Sequence, residues 1–112
     1  MTVDRLTRLA ETIHARRAAG ADASYTRQLL DAGPERCAKK FGEEAVELVI
    51  AAVGNDPKAL TAEAADVLYH LLVVLEVRGV ALANVLAVLD QRTQQSGLAE
   101  KAARSQPERG PS

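Results

Sequence analysis

The sequence predicts an all-α fold, an antiparallel bundle of four main helices with short helical segments. The apolar residues are mainly Ala, Leu and Val, which favour packed helices, and aromatic residues make up only 3% of the chain. Apolar side chains recur at spacings of three and four residues, as on one face of a helix. A chain of 112 residues is typical of one domain. Because a single layer of helices covers little apolar surface, we expect dimerisation to complete the bundle.

Two helical segments are predicted before residue 34. The first spans Val3–Ala19, with Thr2 as its cap and Gly20 at its end. Its apolar face carries Leu6, Leu9, Ala10 and Ile13. In the irregular stretch that follows, Ser24 is expected to cap a brief helix that stops at Gly33.

Two apolar helices form the predicted centre of the fold. Pro34–Val53 begins with a proline, which suits the first helical position, and closes at Gly54. Pro57–Arg78 is capped by Asp56 and ends at Gly79. Apolar side chains cover most of both helices, so we expect both to be buried on most sides. Their short connection predicts that they are antiparallel neighbours.

The last main helix is predicted from Val80 to about Gln95. Gly97 is expected to interrupt it before a short helical piece over Leu98–Arg104. The inward side chains are predicted to be Leu82, Val85, Leu86 and Leu89. Residues 105–112 are polar and rich in proline, glycine and serine, so they are predicted to be a disordered tail. The folded domain is then expected to span residues 1–104.

Charge and cysteine content argue against several classes of protein. The net charge of −1 gives no support to nucleic-acid binding, which usually requires a basic face. The single cysteine, Cys37, allows no internal disulfide and favours a reducing compartment; we expect it to be a small buried filler. Residues 1–20 carry scattered charges, unlike a signal peptide. The most apolar run, Leu71–Leu89, contains Glu76 and Arg78 and is a poor membrane span. We therefore expect a cytoplasmic protein that binds neither nucleic acid nor membrane.

Two pairs of carboxylates lie within the apolar helices. Glu44 and Glu47 are three residues apart and share a helix face, as do Glu63 and Asp66. Either pair alone is compatible with an ordinary solvated face. Burying unpaired carboxylates is costly, however, and a shared cation removes that cost. Because Mg²⁺ prefers hard oxygen ligands, the two pairs together predict a Mg²⁺ site between the two helices.

The acidic pattern also carries a family resemblance. Glu-Glu-x-x-Glu at residues 43–47, followed by Glu-x-x-Asp at residues 63–66, resembles the MazG-type all-α nucleotide pyrophosphohydrolase superfamily. Three further segments narrow the resemblance to the phosphoribosyl-ATP pyrophosphatase family: Ser24-Tyr25-Thr26, the Lys39-Lys40 run through Ala45, and Leu68-Tyr69-His70. The resemblance covers residues 3–104. It implies a homodimer that hydrolyses phosphoribosyl-ATP to phosphoribosyl-AMP and pyrophosphate with Mg²⁺, in the second step of histidine biosynthesis.

The resemblance assigns roles to the acidic residues. The expected metal ligands are Glu44, Glu47, Glu63 and Asp66. Glu43 is expected to be either an additional ligand or the base that positions the attacking water. The predicted catalytic residues are thus Glu43, Glu44 and Glu47. Since adjacent helical residues point about 100° apart, one member of the Glu43–Glu44 doublet is expected to face the metal and the other a lysine.

Substrate contacts are predicted around this centre. The residues are Lys39, Lys40, Tyr25, Thr26, Arg27 and His70. The two lysines are expected to bind phosphate or to hold the carboxylates in place, with a solvated helix face as the alternative. His70 is a phosphate contact, a partner of the metal ligands, or a structural group. Arg16 and Arg17 are weaker phosphate-binding candidates, and His14 is expected at the surface.

Two other functions are compatible with the acidic pattern. The first is a related enzyme that cleaves dUTP, dCTP or another nucleoside triphosphate by the same metal chemistry. The second is a helical adaptor, not an enzyme, whose acidic face binds a basic partner. Substrate turnover separates the first alternative from the main hypothesis, and dependence on a divalent cation separates the second.

Overall fold

The computed structural model describes residues 4–18 and 24–104, and these residues form five α-helices and one 3₁₀ turn. The elements are α1 (Arg5–Ala15), the 3₁₀ turn (Arg16–Ala18), α2 (Tyr25–Ala32), α3 (Pro34–Ala52), α4 (Pro57–Val77) and α5 (Leu82–Arg104). No strand occurs in the described ranges, so the predicted all-α class is confirmed. Residues 105–112, where a disordered tail is predicted, lie outside them.

The first helix begins later than predicted because Asp4 is its cap. The Asp4 carboxylate accepts hydrogen bonds from the backbone N–H of Thr7 at 2.7 Å and from its hydroxyl at 3.1 Å. The bond from the Thr7 amide lowers the pKa of Asp4 below its ordinary value. The α-helix therefore starts at Arg5, and the predicted start at Val3 is wrong. The predicted cap Thr2 and the predicted end at Ala19 lie outside the described residues.

The boundaries of α2, α3 and α4 agree with the sequence to within one residue. Ser24 caps α2 by accepting a hydrogen bond from the N–H of Arg27 at 3.2 Å. Asp56 caps α4 through the N–H of Lys58 at 3.0 Å. Gly33 joins α2 to α3 with φ of 96°, a left-handed conformation that favours glycine. The caps and breakers in the sequence therefore fix these helices locally.

The last helix is continuous, which corrects the predicted break at Gly97. Helix α5 starts at Leu82 and continues through Gly97 to Arg104. One glycine within a helix costs about 1 kcal/mol relative to alanine. Good helix formers on both sides of Gly97 offset that cost.

The contacts between residues divide the structure into two compact units. The first unit ends at Leu82, and the second begins at Ala83.

The core of the first unit is small and lies where α1, α2, α3 and α4 meet. Its buried residues are Ile13, Leu29, Leu30, Cys37, Leu72 and Val73. Cys37 is 1% exposed, and its thiol donates a hydrogen bond to the carbonyl of Leu29 at 3.1 Å. Burial raises the pKa of this thiol, so Cys37 is a buried filler, as predicted.

Much of α3 is exposed in the single chain, which corrects the prediction that it is buried on most sides. Only Cys37 and Glu44 of this helix are buried. Four apolar residues on the outer side of α3 and at its C-terminal cap are exposed: Val46, Val49, Ile50 and the cap residue Val53. Val53 is 83% exposed. On α4, Leu60 and Leu68 are exposed as well, because the described chain supplies no helix that covers these faces.

No single helix among the described residues is both long and apolar enough to cross a membrane. A span of sufficient length and hydropathy arises only when Pro57–Val77 and Leu82–Gln95 are counted together. The turn at Arg78 and Gly79 separates these two segments.

Candidate active site

Three carboxylates converge between α3 and α4. One oxygen from each of Glu44, Glu63 and Asp66 lies within 4.8 Å of the others. Helix α3 supplies Glu44, which is 9% exposed, and one face of α4 supplies the other two. These residues lie at nearly equal distances along the chain from the turn that joins the two helices, so an antiparallel pair brings them together. Three of the four predicted metal ligands therefore meet.

The fourth predicted ligand, Glu47, lies beside this group and is more exposed. The negative charge of Glu44, followed by that of Glu63, raises the pKa of the Glu47 carboxyl. Carboxylates that repel each other in this way are stabilised by a bound cation. Glu47 lies one helical turn after Glu44. It is thus close enough to Glu44 and Glu63 for their charges to change its pKa.

The oxygen atoms of this cluster fit a divalent cation. All of the ligands are hard carboxylate oxygens, which Mg²⁺ prefers. Oε2 of Glu63 is buried, and among the described residues it has no hydrogen-bond partner. A buried carboxylate oxygen without a partner is costly, and a cation at this position would satisfy it.

Lys40 links the acidic cluster to Glu43. Its Nζ lies 3.4 Å from Oε1 of Glu44 and 3.9 Å from Oε1 of Glu43. The hydrogen bond to Glu44, followed by the nearby Tyr25, raises the pKa of the Lys40 ammonium. Lys40 therefore contacts both Glu43 and Glu44. The sequence led us to expect that one of these two glutamates faces the metal and the other faces a lysine.

A cavity of about 330 Å³ opens next to Lys40, between α2 and α3. It is lined by Tyr25, Leu29, Arg36, Lys39, Lys40 and Glu43. Three of the predicted substrate contacts, Tyr25 and the two lysines, thus border one cavity beside the acids. Arg36 borders it too and was missed by the sequence analysis. The missed signal is a helical stripe, because Arg36 precedes Lys39 and Lys40 by three and four residues.

His70 lies in a cluster of aromatic rings with Tyr69 and with Tyr25, which lines this cavity. Its ring packs edge-on against Tyr69 at 4.9 Å and Tyr25 at 6.4 Å between centroids. His70 is 5% exposed, and this burial lowers the pKa of its imidazole. Thr26 is half-buried, and its hydroxyl is hydrogen-bonded to the hydroxyl of Tyr69. His70 therefore contacts Tyr25 directly, and Thr26 contacts Tyr69, whose ring stacks on that of Tyr25.

Two further basic candidates, Arg17 and Arg27, make contacts within the fold. Arg27 forms an ion pair with Asp31 at 2.9 Å and donates to the carbonyl of Arg17. Arg17 itself binds Glu76 of α4, and Nδ1 of His14 lies 3.1 Å from the same carboxylate. Burial opposes ionisation of Glu76, but the hydrogen bonds from Arg17 and His14 hold its pKa below the ordinary value. His14 is mostly exposed, in line with the prediction.

Comparison with known proteins places these residues within one family. The sequence model of the family described as phosphoribosyl-ATP pyrophosphohydrolase matches residues 6–93, a range that includes the acidic cluster and the cavity. Phosphoribosyl-ATP pyrophosphatase 1 of Bradyrhizobium diazoefficiens is 64% identical over 98 residues, which cover 88% of this chain and 92% of the relative.

Other relatives agree over a similar extent. The protein of the same name from Rhodopseudomonas palustris is 64% identical over 86% of this chain and 90% of its own length. Phosphoribosyl-ATP pyrophosphatase of Cereibacter sphaeroides is 60% identical over 93% of this chain and 99% of its own length. This chain thus belongs to the phosphoribosyl-ATP pyrophosphohydrolase family and is an enzyme of the hydrolase class.

Proposed function

We propose that this chain hydrolyses phosphoribosyl-ATP to phosphoribosyl-AMP and pyrophosphate, using Mg²⁺ held by the acidic cluster. The observation that carries the proposal is the convergence of Glu44, Glu63 and Asp66, with Glu47 beside them. The names of the relatives supply the substrate. The site supplies the chemistry, because hydrolysis of a triphosphate requires its negative charge to be neutralised.

Glu44, Glu63 and Asp66, with Glu47 beside them, would hold the cation between α3 and α4. A bound Mg²⁺ would supply positive charge that offsets the charge of the triphosphate and favours attack by water. The oxygen of that water joins phosphorus, the anhydride bond between the α- and β-phosphates breaks, and pyrophosphate leaves. Lys40 keeps Glu43 and Glu44 in fixed positions through its two ion pairs.

Glu43 is proposed to position the water and to accept its proton. Its side chain is 54% exposed and borders the cavity next to the acidic cluster. A carboxylate at the edge of the metal site can reach a water that the ligands themselves do not contact. Lys39 and Tyr25 border the same cavity and are proposed to contact the substrate.

A homodimer is proposed from the exposed apolar face of α3. Val46, Val49, Ile50 and Val53 recur at helical spacing and are all more than half exposed. Such contiguous apolar surface marks an interaction site. A second copy of this chain offers the same apolar face, so a two-fold interface between α3 helices would cover both.

A cytoplasmic location is proposed because the substrate is a soluble metabolite.

Pyrophosphate release from phosphoribosyl-ATP, measured with Mg²⁺ and with EDTA, tests the proposal. We expect turnover that requires the cation and falls by a factor of at least about 100 in Glu44→Gln, since a metal ligand is lost. Glu11→Gln removes an exposed carboxylate of α1 and serves as the matched control. Faster turnover of dUTP or dCTP would contradict the substrate assignment. Equal rates in EDTA would contradict the role of the metal.

A further inference from the structure

Arg36 lies at the centre of a groove that extends away from the acidic cluster. The cavity beside Lys40 adjoins a second one of about 360 Å³, lined by Tyr25, Gln28, Leu29, Ala32 and Arg36. The two cavities share Tyr25, Leu29 and Arg36, so they form one continuous groove between α2 and α3. Each wall is a stripe of residues at helical spacing, from Tyr25 to Ala32 on α2 and from Arg36 to Glu43 on α3.

Two of the three cations that line this groove have no acidic partner among the described residues. Lys40 is occupied by Glu43 and Glu44. Arg36 and Lys39 have no ion-pair partner within residues 4–18 and 24–104. Two cations that border a cavity without acidic partners favour an anionic ligand, and the planar guanidinium of Arg36 suits the paired oxygens of a phosphate.

The position of Arg36 determines which phosphate it can reach. It precedes Glu44 by eight residues on α3, which corresponds to about 12 Å along the helix axis. If the triphosphate binds at the acidic cluster, Arg36 lies well away from the anhydride bond that breaks. Besides its triphosphate, phosphoribosyl-ATP carries a phosphate monoester on a second ribose, which is attached to the base. Two ribose rings and the base separate this monoester from the triphosphate.

We propose that Arg36, assisted by Lys39, binds the phosphate monoester of the phosphoribosyl group and thereby selects phosphoribosyl-ATP over simple nucleoside triphosphates. The proposal rests on the function proposed above for its substrate. In this arrangement the substrate lies along the groove, with Tyr25 and Leu29 under its central part. Arg36 is then a specificity-determining residue that contributes to binding and does not take part in the hydrolysis.

A direct binding experiment tests this without any turnover. Ribose 5-phosphate, titrated into the ¹⁵N-labelled protein in EDTA and followed by NMR, is expected to shift the amides of the groove around Arg36 and Lys39. Arg36→Gln should weaken this binding by a factor of about 10, as expected for loss of a charge-assisted contact. Arg8→Gln, the same change on the exposed face of α1, should leave the affinity unchanged. Unchanged affinity in Arg36→Gln, or shifts confined to the acidic cluster, would overturn the proposal.

Kinetics identify which phosphate Arg36 contacts. Arg36→Gln should raise KM for phosphoribosyl-ATP by a factor of about 10 with little change in kcat, because the contact is equal in the ground and transition states. Arg36→Lys should recover part of this loss, since it keeps the charge without the planar fork. ATP, used as a competitive inhibitor, should retain its Ki in Arg36→Gln. A parallel rise in that Ki would assign Arg36 to the triphosphate and overturn the proposal.

The two proposals fail separately. If the wild-type protein does not hydrolyse phosphoribosyl-ATP, the proposed function is wrong, while the ribose 5-phosphate titration still decides whether the groove binds a phosphate monoester. If hydrolysis is normal but Arg36→Gln changes neither KM nor ribose 5-phosphate binding, only the assignment of Arg36 is wrong. Circular dichroism spectra of the variants establish that each one is folded.

Discussion

The Nζ atom of Lys40 lies 3.4 Å from Oε1 of Glu44. This ion pair lies between the acidic cluster and the groove formed by α2 and α3. Glu44 is 9% exposed and faces two further carboxylates, so Lys40 supplies the nearest compensating positive charge among the described residues. The pair connects the metal site to the cavity, because Lys40 and Glu43 also line that cavity.

Removing the charge of Lys40 should destabilise the metal-free protein. In Lys40→Gln the buried Glu44 carboxylate loses its ion-pair partner, and leaving such a group unpaired costs about 1–3 kcal/mol. Urea unfolding in EDTA measures the loss. Lys39→Gln, the neighbouring lysine without an ion pair among the described residues, should change the free energy of unfolding by less than about 0.5 kcal/mol. Equal effects of the two substitutions would show that the ion pair with Glu44 contributes nothing.

Mg²⁺ should raise the melting temperature through the acidic cluster. A ligand at 100 times its Kd stabilises the folded state by about 2.7 kcal/mol. Asp66→Asn removes one of the three converging carboxylates and should abolish most of this increase. Glu11→Gln should preserve it. Differential scanning calorimetry with and without Mg²⁺ measures the shift, and an undiminished shift in Asp66→Asn would place the cation elsewhere.

The contacts of Glu76 should make stability depend on pH in the acidic range. Its pKa in the folded state lies below the ordinary value of 4.5, so its contribution is complete above that pH and is lost as the pH falls through the folded-state pKa. Glu76→Gln should cost about 1 kcal/mol at pH 7, a value reduced by the exposure of Arg17 and His14. The difference from wild type should shrink below pH 4.5. A difference that stays constant down to pH 3 in urea unfolding would contradict this account.

Two glycines should respond in opposite directions to alanine. Gly97 lies within α5, and an added Cβ would meet no atom within 4 Å. Gly97→Ala should therefore raise the free energy of unfolding by about 0.5–1 kcal/mol. Gly79 has φ of 70°, where a Cβ is strained, so Gly79→Ala should lower it by about 1 kcal/mol. Thermal melts followed by circular dichroism measure both changes. A destabilised Gly97→Ala would mean that α5 is not continuous.

A charge on the exposed face of α3 should dissociate the proposed dimer. Ile50 is 64% exposed in the single chain and lies among the other apolar residues of this face. Ile50→Lys would place a charge at the centre of the interface, where it cannot remain solvated. Sedimentation velocity should show a dimer for the wild type and a monomer for this variant, with Arg8→Glu as a control that remains dimeric. A monomeric wild type would contradict the proposal.

The sequence predicts most of this fold because its signals are local. Ser24, Asp56 and the two prolines at residues 34 and 57 begin helices through their own backbone geometry, and Gly33 and Gly79 end them. Prediction was wrong where a signal depended on its surroundings. Asp4 replaced the expected cap by binding Thr7, and Gly97 did not break α5. A single glycine weakens a helix, but neighbouring residues decide whether the helix continues.

The same division applies to the candidate site. Spacing and the apolar surroundings predicted that Glu44, Glu47, Glu63 and Asp66 share a centre, because three-residue spacing fixes a face and a short turn fixes the pairing of two helices. Three of these four residues converge, and Glu47 lies beside them. The contact of the buried His70 with Tyr25 required the packing of α2 against α4, and the position of Arg36 in the groove required the packing of α2 against α3. By itself, then, the sequence determined the helices, their order and the acidic pairs, since backbone preferences act over a few residues. The tertiary structure decided which apolar faces remain exposed and which cations border the groove, because both depend on residues far apart in the chain.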